Sequence, residues 1–291
     1  MTDAGPARGP AAALLESDRR YFELGASLDS DTIGGAQVAW MPGLQATAAG
    51  CVVQRVRPEV VGGARAWVDD VDRRVMELGY ALARVYLDGP SPVLEGALAA
   101  AGYRRRVEIG YLVEGPLPPA PAAASRADVV LREVVDGGGW EVKRKLHAGS
   151  DVAADGHATA AEDWVELERR KCDTGGMRAF LVEVDGEACG GVATLEGEGL
   201  LRAKNLFVQS DRRREGIAAQ TIRLLSGRAG ELGLAATGIF GVDGRPGNAV
   251  YVHLRMTPVV RQVEWSKPLC IGPLGTGSLG SGSLGTGPGR A

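Results

Sequence analysis

The chain has 291 residues, which is long for one compact domain and suits two domains of about 100 to 150 residues each. Hydrophobic residues make up 45% and charged residues 24%, so most of the chain is able to bury a core. The net charge of −3 provides no overall basic field and argues against a dedicated nucleic-acid-binding protein. The four scattered cysteines argue against a structural metal site or a disulfide framework and favour a reducing cytoplasm. Because of this spacing of the cysteines we expect no bound metal. No apolar run approaches the roughly 18 to 20 residues that a membrane span needs, so we expect no membrane partner.

Three segments have compositions that disfavour a packed structure. Residues 1–12 are rich in Pro, Gly and Ala and lack the basic start and apolar centre of a signal peptide. Residues 115–127 are rich in Pro and Ala, which favours an extended linker between domains. Residues 271–291 repeat leucine about once in five positions among Gly, Ser and Thr, which is too little apolar area to offset the entropy of ordering. We predict a disordered N-terminus, a linker and a disordered tail.

The first part of the chain, residues 13–114, predicts a mixture of helices and strands. Apolar periodicity predicts helices over 14–24, 66–78 and 92–101, and strands over 36–41, 51–56, 81–87 and 106–113. The strands are short and separated by glycine-containing turns. This order predicts an α/β domain.

The second part, residues 128–270, has a similar alternation. We predict strands over 129–134, 180–184, 188–195, 200–208, 235–242 and 259–265, and helices over 140–147, 161–171, 216–232 and 248–254. The Asp185-Gly186 pair has the composition of a two-residue hairpin turn. Gly233 is well placed to end the long helix.

The two parts share an order of elements and a spacing of glycines. Gly62 and Gly79 are separated by the same interval as Gly216 and Gly233, and an Asp-Gly pair follows the next predicted strand in each part. Such internal similarity indicates duplication. We therefore predict two similar α/β domains, 13–114 and 128–270, each a mixed β-sheet flanked by helices.

One loop carries the features of a pyrophosphate site. Residues 213–218, Arg-Arg-Glu-Gly-Ile-Ala, join a predicted strand to the long helix. Gly216 lets a ligand approach the backbone closely. The first amides of a helix have no partner inside it, and the helix dipole adds partial positive charge. Arg213 adds a full charge and a forked set of donors.

Residues 206–218 resemble motif A of the GCN5-related N-acetyltransferase superfamily, whose pattern is Q/R-x-x-G-x-G/A, and residues 245–251 resemble its asparagine-to-tyrosine helix. The resemblance of the motifs covers roughly residues 129–267, and the arrangement of two similar α/β units resembles the tandem members of the same superfamily. It implies acetyl-CoA or another acyl-CoA as the donor and a small-molecule amine as the usual acceptor. It further implies that donor-binding residues lie at the end of the strand, in the loop and in the later helix: Phe207, Val208, Arg213, Arg214, Glu215, Gly216, Ile217, Ala218 and Asn248.

The sequence departs from the family pattern at several positions. The Gly-Phe pair that commonly follows the tyrosine is Arg255-Met256 here, and the asparagine is replaced by Arg245 or shifted to Asn248. In the N-terminal domain the position matching Arg213 is Glu59, whose carboxylate would repel a pyrophosphate. We therefore expect a degenerate N-terminal unit and coenzyme binding in the C-terminal unit.

Tyr251 is the candidate catalytic residue, because a phenol near the sulfur would protonate the leaving thiolate. No Ser-His or Cys-His arrangement is visible, so we expect the amine to attack the thioester directly. His147, His157 and His253 are isolated and are expected to be structural or exposed. The basic runs 104–106 and 169–171 are expected to be solvated faces.

Two alternatives stay open on the sequence. The first is a transferase of similar fold that takes its donor from aminoacyl-tRNA; the net charge argues against it, but the basic runs leave it open. The second is a coenzyme-A-binding regulator without catalysis, which the altered Gly-Phe positions favour slightly.

Overall fold

A computed structural model describes residues 9–60, 63–119, 128–148 and 160–269. The predicted tail, most of the predicted N-terminal segment and the later part of the predicted linker lie outside the described residues. We call residues 9–119 the N-terminal half and residues 128–269 the C-terminal half. None of the helices in these ranges is long and apolar enough to cross a membrane.

The predicted elements are confirmed, with bounds that differ by only a few residues. The N-terminal half contains α1 (Pro10–Glu23), β1 (Ser27–Asp29), β2 (Gln37–Trp40), β3 (Cys51–Gln54), α2 (Ala64–Glu77), β4 (Leu82–Leu87), α3 (Pro92–Ala100) and β5 (Arg104–Glu114). The C-terminal half contains β6 (Val129–Glu133), α4 (Gly137–Ala148), α5 (Ala161–Asp173), β7 (Arg178–Val184), β8 (Glu187–Gly197), β9 (Leu200–Val208), α6 (Ile217–Glu231), β10 (Ala236–Val242), α7 (Ala249–His253) and β11 (Thr257–Pro268). Strand β1 was not predicted.

Two local predictions rest on backbone conformation and are confirmed. Asp185 and Gly186 have φ values of 54° and 80° between β7 and β8. Positive φ at both central residues is what a two-residue hairpin turn of type I′ needs. Gly233 has a φ of 71° just beyond the end of α6, as expected for a glycine that ends a helix.

The eleven strands form one mixed sheet in the order β1-β2-β3-β4-β11-β5-β10-β9-β8-β7-β6. The final strand of each half is exchanged at the centre of this sheet. Strand β11 lies between β4 and β5 and is antiparallel to both, and β5 pairs antiparallel with β10. The central strands therefore bring residues of both halves side by side.

Helices cover both faces of the sheet. Helices α2 and α3 pack on the strands of the N-terminal half through residues such as Val71 and Leu98, and α6 packs on those of the C-terminal half through Ile222 and Leu225. Helix α1 covers the opposite face at the centre, where Leu14 packs with residues of β5, β9 and β10. Farther along α1, Tyr21 and Phe22 pack against both halves. Helix α1 thus covers the junction between the two halves on this face of the sheet.

Candidate active site

Strands β9 and β10 separate from each other along their length. Their parallel pairing runs only from Leu200 opposite Ala236 to Arg202 opposite Gly238. Beyond that point β9 continues to pair with β8 as far as Val208, and β10 continues to pair with β5 as far as Val242. A cleft therefore opens between two strands that keep their outer neighbours. Its inner edges carry backbone polar groups with no partner strand among the described residues, and such groups favour a ligand that pairs with backbone.

A bulge in β9 shapes the cleft. The register with β8 shifts between Gly191 and Ala193, and Asn205 has a φ of 54°. The Asn205 side chain donates a hydrogen bond to Oε1 of Glu168 on α5, at 2.9 Å. Glu168 forms a fully buried ion pair with Lys143 of α4, at 2.8 Å. Two helices behind the sheet therefore hold the bulge in position.

The loop after β9 leads into the start of α6. Gly216 is the N-cap residue of α6 with a φ of 84°, and none of the described side chains caps the helix. Arg214 also has a positive φ, 69°. Backbone turned in this way directs successive amides outward at the positive end of the helix dipole. The loop therefore has the backbone conformation on which the predicted anion site depends, and the site itself stays a prediction.

The predicted donor-site side chains have different surroundings. Arg213 is exposed, and its Nε donates to the carbonyl oxygen of Val208, at 3.1 Å. Glu215 is paired with Arg212, at 3.2 Å. The Phe207 ring packs on the His147 ring with centroids 4.3 Å apart, so this side chain faces α4. Ile217 is buried and anchors the start of α6, while Ala218 is half-buried.

Tyr251 and Asn248 lie where α7 meets the end of β10. Tyr251 is buried, and its ring centroid lies 5.1 Å from that of Tyr111. Burial raises the pKa of Tyr251 to about 12, which keeps the phenol protonated at neutral pH. Asn248 donates to the carbonyl oxygen of Val242, at 2.7 Å, and so ties α7 to β10. Tyr251 therefore lies at the cleft, and the hydrogen bond of the Asn248 amide fixes the start of the helix that carries Tyr251.

A cavity of about 300 Å³ lies at the inner end of the cleft, under α1. Tyr251 and the edges of β9 and β10 form one side of it. The other side comes from the N-terminal half and from β11, with polar side chains that the sequence analysis did not select: Arg84, Tyr86, Arg106, Glu108 and Glu264.

These polar residues form a buried network. One carboxylate oxygen of Glu264, Oε2, accepts hydrogen bonds from Arg84 at 2.6 Å, Arg106 at 2.6 Å and Tyr86 at 2.7 Å. Burial opposes ionisation of Glu264, but the two guanidinium groups outweigh burial and hold its pKa below the usual value. Glu108, which accepts from Arg106 at 3.0 Å, has its pKa raised by burial. The two neighbouring carboxylates therefore differ in how readily they ionise.

Part of the prediction for the basic runs is wrong. Arg104, Arg105 and Arg169 are exposed as expected, but Arg106 belongs to the cavity network. Lys171 is 1% exposed, and its Nζ donates to the carbonyl oxygen of Tyr21 at 2.6 Å. Both residues lie on element faces that another part of the chain covers. The sequence does contain a signal for the network. Arg84 and Tyr86, like Arg202 and Lys204, are alternate residues of mostly apolar strands, so each pair must share one face of the sheet.

The matching separation of strands in the N-terminal half is lined by ion pairs. Strands β3 and β4 pair only at Val53 opposite Val85. At the open end Arg19 contacts Asp88 at 2.6 Å, and Arg55 contacts Glu16 and Glu23, each at 2.7 Å. Glu59 lies in the short helix Pro58–Val60 before α2. Carboxylates that are paired with arginines therefore lie at this end of the N-terminal half, at the place that matches the cleft of the C-terminal half.

No family model and no curated protein matches this sequence. Solved structures match its fold. A GCN5-related N-acetyltransferase from Kribbella flavida is 16% identical, with a TM-score of 0.58 over 91% of this chain and 96% of that one. One from Sphaerobacter thermophilus is 18% identical, with a TM-score of 0.58 over 87% of this chain and 85% of that one.

A tandem protein of the same fold, from the clavulanic acid biosynthesis pathway, is 16% identical, with a TM-score of 0.51 over 86% of this chain and 84% of that one. The chain therefore has a tandem GCN5-related N-acetyltransferase fold, a mixed sheet flanked by helices, as the sequence predicts.

Proposed function

We propose that this chain transfers an acyl group, with acetyl-CoA as the donor, to an amine of a small molecule. The observation that carries the proposal is the cleft between β9 and β10, which leads directly to the uncapped start of α6 at Gly216. The open strand edges would pair with the amide-containing arm of the coenzyme, and the helix start would hold its pyrophosphate. The neighbours of similar fold support the same assignment.

Direct attack by the amine is the favoured route, because no cysteine is among the described residues that line the cavity. Burial raises the pKa of both Cys51 and Cys172 to about 12 and also raises that of Cys189, so these thiols are poor nucleophiles at neutral pH. In direct transfer the amine nitrogen bonds to the thioester carbonyl carbon, and the carbon–sulfur bond breaks. Tyr251 then protonates the thiolate, and the rest of the rate enhancement comes from positioning and backbone donors.

A tRNA-bound donor is less well supported. Within the described residues Arg169 is paired with Glu166 at 2.9 Å, Arg170 with Glu166 at 2.8 Å, and Lys171 is buried. Arg106 is likewise committed to Glu264. Arg106 and Lys171 are therefore engaged inside the protein, and the surface pairs of Arg169 and Arg170 with Glu166 reduce the charge that the runs offer to a phosphate backbone.

The donor site is tested by changing Gly216. Gly216→Asp should weaken acetyl-CoA binding by about 100-fold, because a carboxylate beside a pyrophosphate costs several kcal/mol and about 1.4 kcal/mol corresponds to a factor of ten. Gly216→Asn is the matched control, since it has the same shape and the same strain at positive φ without the charge. Calorimetric titration of the folded variants measures both. If the Asp variant binds as tightly as the Asn variant, charge at this position does not matter and the donor site is misplaced.

The difference between the halves predicts one coenzyme per chain. The ion pairs of Arg19 and Arg55 and the carboxylate of Glu59 oppose a pyrophosphate in the N-terminal half. Titration of the full chain with acetyl-CoA should therefore saturate at one equivalent. Saturation at two equivalents would show that the N-terminal half also binds coenzyme.

A further inference from the structure

The charges around the cavity do not balance. Its lining contains four cationic side chains and two carboxylates: Arg84, Arg106, Arg202, Lys204, Glu108 and Glu264. Asp18 of α1 adds a third carboxylate behind the lining, where it contacts Lys204 at 2.7 Å and Arg202 at 3.0 Å. Four positive charges thus face three negative ones among the described residues. With more cationic side chains than carboxylates among these residues, the cavity favours a ligand that places a carboxylate beside one of the cationic side chains.

Arg84 is placed to receive such a group. It lies on β4, separated from the cleft strand β10 by β11 and β5. It is 8% exposed and lines the cavity, and its Nη2 contacts Glu264 and Tyr86. Within the described part of the chain, its Nη1 makes only a long bond of 3.3 Å to the carbonyl oxygen of Ala48. A guanidinium group offers five donors in a planar fork that fits a carboxylate.

Glu108 lines the same cavity on the side nearer to the cleft. It is on β5, directly opposite Val242 of β10, and so belongs to the strand adjacent to the cleft. Glu264, the other carboxylate of the lining, is already held by three donors on one oxygen. Glu108 is therefore the carboxylate better able to hold and deprotonate an ammonium group that enters from the cleft side.

We propose that the cavity binds an acceptor that carries both an amine and a carboxylate, with the carboxylate at Arg84 and the amine at Glu108. This rests on the acyltransferase function proposed above. A volume of about 300 Å³ is at the lower end for ligand pockets, which suits a molecule of the size of a single amino acid. The N-terminal half, which does not hold the donor, then supplies the recognition of the acceptor.

The reaction balances with the groups present. The ammonium group of the acceptor gives one proton to the Glu108 carboxylate. The freed nitrogen forms its bond to the thioester carbonyl carbon and loses its second proton to solvent as the amide forms. The carbon–sulfur bond breaks, and the thiolate takes the Tyr251 proton. The proton held by Glu108 then returns to the Tyr251 phenolate through solvent, which restores both residues, and one proton is released overall. No oxidant, reductant or further co-substrate is needed.

The test is ligand-observed NMR on the full chain saturated with coenzyme A. The probes are α-, β- and γ-amino acids and, for each, the primary amide that lacks the carboxylate charge. At least one amino acid should bind, and its amide should bind at least about tenfold more weakly, a difference of about 1.4 kcal/mol. If no amino acid binds, or if the amide binds equally well, the proposal is overturned.

Two variants assign the site. Arg84→Met should weaken binding of that amino acid at least about tenfold, whereas Arg65→Met, at an arginine of α2 whose side chain is 67% exposed, should leave it unchanged. Because Arg84→Met also disturbs a buried network, Ala48→Leu provides a second measure that adds volume to the lining without changing charge. Binding that survives Ala48→Leu would place the amino acid elsewhere. A separate titration with coenzyme A distinguishes the failures: if coenzyme A binds and amino acids do not, only the acceptor proposal fails.

Discussion

Replacing Tyr251 by Phe is expected to lower turnover about 10²- to 10⁴-fold while acetyl-CoA affinity stays nearly unchanged, because general acid catalysis typically contributes that much. The substitution keeps the ring that packs on Tyr111 and removes only the hydroxyl. The thiolate is then expelled without a proton. Steady-state kinetics with an accepted amine, combined with calorimetric titration of the donor, measure both quantities.

A neighbouring tyrosine offers the control. Tyr111→Phe makes the same change in the adjacent ring, on β5, and should leave turnover within about threefold, well below the general-acid range. If Tyr251→Phe is equally mild, Tyr251 is a packing residue. Catalysis would then rest on positioning and on backbone donors at the cleft.

The second large effect is expected at the buried ion pair behind the β9 bulge. Lys143→Met should lower the free energy of unfolding by about 3–5 kcal/mol, because removing one partner leaves the other charge buried and unpaired. Lys143 and Glu168 are both fully buried and 2.8 Å apart. Burial opposes ionisation of Glu168, and the Lys143 ammonium outweighs it, so the pKa of Glu168 lies below the usual value. Urea denaturation monitored by circular dichroism measures the difference.

The same helix contains a matched control. Lys145 of α4 has a side chain that is 70% exposed, and its contact with Glu141 is 3.7 Å long, so Lys145→Met should change stability by less than about 0.5 kcal/mol. The double variant Lys143→Met/Glu168→Leu should recover part of the loss, since it removes both charges together. Equal stability of Lys143→Met and Lys145→Met would mean that the buried pair carries no net energetic weight.

Sequence alone determined the features that depend on neighbouring residues. Apolar periodicity located the helices and strands, because a core-facing side chain must recur at about 3.6 or 2 residues. Asp185-Gly186 and Gly233 marked a turn and a helix end, because their positive φ values favour these residue types. The loop at Gly216 indicated an anion site for the same reason: its chemistry comes from consecutive backbone amides.

The tertiary structure alone decided which strands pair and which polar side chains meet. Strand β11 pairs with β5 and with β4, which lies far from it along the chain. The local sequence of a strand does not indicate which other strand its backbone will bond to. That exchange brings Glu264 beside Arg84 and Arg106, and these three residues line the cavity. A charged residue in a strand is usually solvated, so the sequence predicts that Arg106 lies on the surface. In the folded protein α1 and the exchanged strands cover it. Burial and pairing of charge depend on contacts between distant segments, which is why the candidate acceptor pocket emerged only from the fold.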